Sequence, residues 1–125
     1  MIKKFTQYLQ ENQLLESHLN DFIGFACNHL GIKGAPKIEL LQDRDENMTT
    51  ASYCPQTQHV KVYAKGRAHF DIARSIAHEL VHHQQQQDGE ELDGETGSEC
   101  ENKANSVAGQ IIRLYGKHNP NFYLK

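Results

Sequence analysis

Apolar residues recur along the chain every three or four positions in some stretches and alternate in others. Phe5, Tyr8 and Leu9 mark a short first helix over residues 3–11, and Leu19, Phe22, Ile23, Ala26 and Leu30 form the core-facing stripe of a second over about 18–30. Ser17 or Asn20 caps the second helix and Gly31 ends it. After the breakers Gly34 and Pro36, Lys37–Leu41 reads as a strand. Asp43–Asn47 reads as a solvated loop. Two extended runs follow, Thr49–Tyr53 and His59–Tyr63, joined by a turn containing Pro55, which reads as an edge hairpin. From about His69 the period becomes helical again, with Ile72, Ala73, Ile76, Ala77, Leu80 and Val81 inward. Asp71 stands in its first turn, where it favours the helix dipole. Gln84–Gln87 reads as the wet, fraying end of that helix. A loop rich in glycine and acid, Asp88–Gly97, leads to a last helix from Ser98 to about Tyr115, with Ala104, Val107, Ala108, Ile111, Ile112 and Tyr115 on its apolar face. Ser98 and Glu101 match a capping box. The tail from Gly116 to Lys125 reads as irregular. The expectation is a single α+β domain over residues 1–125, with N-terminal helices, a short, mostly antiparallel sheet and two C-terminal helices.

Composition narrows the class. A chain of 125 residues has room for one modest core, and its 38% apolar content is low but ordered in its spacing. The net charge of −3, without clustered Lys and Arg, argues against a nucleic-acid partner. No run approaches the roughly 18 apolar residues of a membrane span, and Lys3 and Lys4 are followed by no apolar segment of a signal peptide. Cys27, Cys54 and Cys100 are odd in number and far apart, so a cytoplasmic setting fits better than a disulfide framework.

The chemistry lies in Ile76-Ala77-His78-Glu79-Leu80-Val81-His82, which reads H-E-x-x-H on a helix-forming background. Residues four apart share a helix face, so His78 and His82 can offer two imidazoles to one metal ion. Glu79 is placed to act on a water at that ion, the arrangement of a zinc metallopeptidase helix. Such a site needs a third protein ligand. A glycine at position 85 and a histidine at 88 would complete one known extension, but Gln85 and Asp88 stand there. Glu99 and Glu101 remain, on the last helix. Glu101 is preferred, because Asn105 lies four residues on and can fix the tautomer of a ligand histidine. The plain alternative for Glu101 is a capping glutamate only. Among the other histidines, His83 points about 100° away from His82 and reads as a surface residue. His18, His29, His59 and His69 fit no ligand spacing. Cys100 reads as an inert buried thiol.

With His78-Glu79-Leu80-Val81-His82 followed by Glu101-Asn102-Lys103-Ala104-Asn105, the chain resembles the gluzincin metallopeptidases. The second group is similar to the E-x-x-A-D/N signature of ImmA/IrrE-like peptidases and of the single-domain minigluzincins. The segments Tyr53–Tyr63 and Ser75–His78 are similar to small metallopeptidase-like proteins of large bacteriophages. The resemblance covers about residues 37–115 and departs from the pattern at His83. It implies a zincin-like fold and one Zn2+ held by His78, His82 and Glu101. It also implies Glu79 as general base, a peptide substrate laid on the edge strand, and a bacterial or phage-infected cytoplasm. Tyr115, His118 and Tyr123 are the expected sources of an oxyanion donor. Two other readings stay open: a zinc-binding interaction module without turnover, and a chance motif on an ordinary α+β domain.

Overall fold

The computed structural model describes residues 5–42, 50–90 and 98–119, with side chains from residue 17 onward. Among these residues the chain is a small α+β domain of three helices and a three-stranded mixed sheet. The elements are α1 (Phe5–Leu30), β1 (Lys37–Leu41), β2 (Ala51–Cys54), β3 (His59–Tyr63), α2 (His69–Gln87) and α3 (Glu99–His118).

The two expected N-terminal helices are one. No glycine or proline interrupts residues 5–23, so helical hydrogen bonding runs through Ser17, which is an exposed interior position rather than a cap. Leu19, Phe22, Ala26 and Leu30 are buried, as their spacing requires, and each large apolar side chain so buried contributes about 1.5–3 kcal/mol. The expected face of Phe5, Tyr8 and Leu9 lies outside the described side chains. Gly31 does end the helix. Its φ of +69° suits glycine, its N–H reaches the Asn28 carbonyl at 3.3 Å, and Ile32 N–H reaches the Cys27 carbonyl at 3.0 Å. These paired bonds make a Schellman stop.

The sheet order is β1-β3-β2. β2 and β3 form the expected hairpin, antiparallel with Tyr53 opposite Val60, across the turn Pro55–Gln58. β1 pairs with β3 in parallel, Lys37 opposite His59. The sheet is therefore mixed rather than mostly antiparallel, because β2 starts at the end where β1 finishes and runs back, and β3 then turns to lie between them in the direction of β1. Thr49 and the expected loop Asp43–Asn47 lie outside the described residues. β3 alternates as its sequence suggests: Val60 and Val62 are fully buried, His59, Lys61 and Tyr63 partly so.

α2 is the hub, packed against α1, α3, β2 and β3. Ala68, at its N-cap, makes no side-chain capping bond. Arg67 joins strand and helix instead, donating to the Tyr63 carbonyl at 2.9 Å, the Asp71 carbonyl at 3.0 Å and Ser75 Oγ at 2.8 Å. All six apolar positions expected to face inward from α2 are buried. α3 runs past the expected end at Tyr115 to His118, and Gly116 is buried within it, so the first residues of the presumed irregular tail are helical. Most of the loop before α3 (91–97) and the tail from 120 lie outside the described residues. The three cysteines are free, and no helix among the described residues is long and apolar enough to cross a membrane.

Candidate metal centre

α2 turns His78 and His82 toward α3, one above the other on the same face. Their Nε2 atoms are 3.2 Å apart and their rings meet edge-on at 81°. Glu101 approaches from the first turn of α3, with Oε2 3.0 Å from His78 Nε2 and Oε1 3.0 Å from His82 Nε2. Local structure explains its position. Ser98 caps α3, its hydroxyl accepting from the Glu101 backbone N–H at 3.2 Å. The backbone of Glu101 thus serves the cap while its carboxylate faces the histidines, so capping and ligation do not compete. Ala104, one turn on and fully buried, leaves room for α2 and α3 to approach closely.

These atoms fit one ion. A metal bonded at about 2.0–2.1 Å with tetrahedral angles separates its ligand atoms by about 3.3 Å; the two Nε2 atoms are 3.2 Å apart, and one ligand atom from each of the three residues lies within 4.8 Å of the others. Among the described residues, His78, His82 and Glu101 form the group that could hold a metal. Glu99, the alternative, is exposed on α3 and outside it.

The electrostatics suit ligation. Burial first, and then the His82 ring, lower the pKa of His78 against the raising influence of Glu101 and of a hydrogen bond to Asn105. The neutral imidazole, the form that binds metal, is favoured. Asn105 therefore meets one of the two histidines that its spacing from Glu101 leads us to expect it to steady, His78. Glu79 is 7% exposed. Burial, and secondarily the charge of Glu101, push its carboxyl up to about 8. A carboxyl so placed exchanges its proton near neutrality, as an acid–base group requires.

Two of the expected oxyanion donors, Tyr115 and His118, are not brought to this site. Tyr115 and His118 lie about 21 and 26 Å of helix rise beyond Glu101. The Tyr115 hydroxyl donates to Asp21 Oδ2 at 2.6 Å, which together with burial raises its pKa, and its ring packs on Phe22 and Phe25. It is a core residue tying α3 to α1. His118 is exposed at the end of α3, and Tyr123 lies outside the described residues.

Two further expectations are corrected. His83 is fully buried rather than on the surface: its Nε2 meets the Gly34 carbonyl at 3.0 Å and its Nδ1 the Tyr53 hydroxyl at 2.8 Å. The glutamine run does not fray. Gln84 donates to the Leu30 carbonyl at 2.7 Å, Gln86 to Pro55 at 2.8 Å, Gln87 to Lys33 at 3.3 Å and Gln85 to Cys100 at 3.3 Å. Gln84, Gln86 and Gln87 form a clamp, because their acceptors, at the last residue of α1 and in the loops after α1 and β2, have no helix or ladder partner. Gln85 is the residue near the centre that the sequence reading missed. It stands three residues after His82, hence on the same helix face, and that spacing was the available signal. Cys100 is partly exposed, and its Sγ donates to Gln85 Oε1 at 3.0 Å. The remaining histidines sit elsewhere: His18 Nδ1 is 3.3 Å from His69 Nδ1, His29 stacks on Phe25, and His59 lies 3.3 Å from Glu39.

No family model, curated protein or solved structure matches the chain, so its assignment rests on this geometry and on its motif.

Proposed function

We propose that the protein is a zinc-dependent peptide hydrolase of gluzincin type, with a zincin-like domain of the minigluzincin or ImmA/IrrE kind acting in the cytoplasm of a bacterial or phage-infected cell. The observation that carries this reading is the convergence of His78, His82 and Glu101 beside a buried Glu79. His78, His82 and Glu101 would hold Zn2+, with Asn105 steadying His78. The ion, when bound, supplies a Lewis acid that acidifies water and polarises a carbonyl. Glu79, in its dry position next to the ligands, takes the proton of the attacking water and hands it to the leaving amine. Its burial keeps bulk water from competing at that carboxyl. β2, at the edge of the sheet, offers backbone groups to an extended peptide, which would add as a further strand.

The test is cleavage of a peptide library by zinc-loaded wild type and Glu79→Gln. The reading expects both to bind one ion per chain and only wild type to cut. One observation favours a second reading, a zinc-holding interaction module without turnover: neither Tyr115 nor His118 reaches the centre to steady an oxyanion. Full zinc occupancy with no cleavage by wild type across the library would select that reading.

A further inference from the structure

The geometry points to Gln85 as a positioning residue that presets His82 for metal binding and couples the two helices of the centre. The inference rests on the metal-site reading above and goes beyond it, because Gln85 belongs to neither the ligand motif nor the glutamate motif.

The argument is one of donors and acceptors. Gln85 is 1% exposed, so its amide must find partners inside the protein. The Cys100 backbone carbonyl, 3.3 Å from Gln85 Nε2, can only accept. The amide nitrogen must therefore face Cys100, and the amide oxygen faces the other way. There Oε1 lies 2.9 Å from His82 Nδ1, and the Cys100 thiol donates to it at 3.0 Å. An amide oxygen only accepts, so His82 Nδ1 carries the proton. In the neutral ring Nε2 is then bare. That bare nitrogen faces Glu101 Oε1 at 3.0 Å and His78 Nε2 at 3.2 Å.

The chain of bonds thus runs from the α3 backbone, through Gln85, to the outer nitrogen of His82, and leaves the inner nitrogen free to ligate. It also links the two sides of the clamp, since Cys100 immediately precedes Glu101. A shift of the first turn of α3 moves Gln85, and with it the orientation of the His82 ring. Asn105, on α3 itself, hydrogen-bonds the His78 ring, so an amide side chain meets each of the two histidines. Amide partners orient a ring without placing further negative charge beside the ion. Their loss from such outer positions typically weakens metal binding about 10–100-fold.

The test uses the full chain and Zn2+ alone, with two variants. Gln85→Met keeps the volume and removes both bonds. Gln85→Glu keeps an acceptor for His82 Nδ1–H but has no donor for the Cys100 carbonyl. Zinc dissociation constants come from chelator competition. The protonated nitrogen of His82 is read by proton–nitrogen correlation spectra of histidine-labelled protein, assigned with His82→Ala. Expected are a proton on Nδ1 in wild type, loss of that signature with about 10–100-fold weaker zinc binding in Gln85→Met, and recovery of both in Gln85→Glu. Both variants lose thermal stability, so a merely structural role predicts affinity that tracks stability with no rescue by Glu, and that result overturns the inference. Should Gln85→Met fail to fold, Gln85→Glu decides alone: zinc affinity near wild type with Nδ1 still protonated supports the inference, and loss of either overturns it. Zinc binding and an Nδ1–H signal in Gln85→Met equal to wild type also overturn it, and leave the metal centre standing. If wild type binds no Zn2+, the metal centre falls first and this role falls with it.

Discussion

His82 and His83 are neighbours in sequence and belong to different regions of the molecule. His82 lies in the seam between α2 and α3, His83 in the seam between α2 and the sheet. Both are buried. In the sheet-side seam each polar group meets a complement: His83 sits between the Gly34 carbonyl and the Tyr53 hydroxyl, and Gln84, Gln86 and Gln87 end on carbonyls. In the α3-side seam two ring nitrogens and a carboxylate converge on one another at 3.0–3.2 Å. A buried polar group with its complement supplied by protein is structural. Two imidazoles and a carboxylate gathered around a point, by contrast, could hold a metal ion. The difference separates two kinds of histidine on one helix.

The sharpest way to break that comparison is to truncate each histidine in turn. His82→Ala should lower metal affinity about 1,000-fold or more and leave purified protein without a stoichiometric ion, as measured by elemental analysis after dialysis. A retained ion would place the metal elsewhere. Next in size is a pH effect in the metal-free protein. Glu79 is raised from 4.5 to about 8 by burial and by Glu101, so the folded state holds this proton where the unfolded chain has lost it. Its contribution to stability is therefore full below about 4.5 and lost as pH rises through about 8. Denaturation of wild type between pH 5 and 8 should show a decline of a few kcal/mol that Glu79→Gln lacks. His83→Ala leaves a cavity and two bare partners. It should cost about 3 kcal/mol in urea denaturation while one ion per chain remains bound. Smallest, Gln86→Ala should cost about 1 kcal/mol, again without touching metal content.

What could be read in advance follows the same division. His78 and His82 are legible because helical spacing is a local rule. Glu101 and Asn105 are legible because they repeat that spacing on one further helix, and α2 and β3 because their periods are clean. The parallel pairing of β1 with β3 is not, since no local window contains both strands. The split of α1 came from reading Ser17 as a cap, when the absence of any breaker before Gly24 was the stronger indication. The surface reading of His83 follows from its turn of about 100° away from His82, and that of the glutamines from their polarity and place at the helix end. The carbonyls of Leu30, Lys33, Gly34 and Pro55 that bury them arrive from segments far away in sequence. Tyr115 is core, as its place on the apolar face of α3 indicates, but its partner Asp21 is supplied by α1 and is not legible locally.

The glutamine clamp also has an order in time. A ribosome releases the chain from its N-terminus at about 5–20 residues per second. The accepting carbonyls at Leu30, Lys33 and Pro55 therefore leave the tunnel before the amides of Gln84, Gln86 and Gln87 that will close on them. The residues of α1 and of the sheet are thus all synthesised before the helix whose amides close on their carbonyls, and Glu101 comes later still, after both histidines it faces.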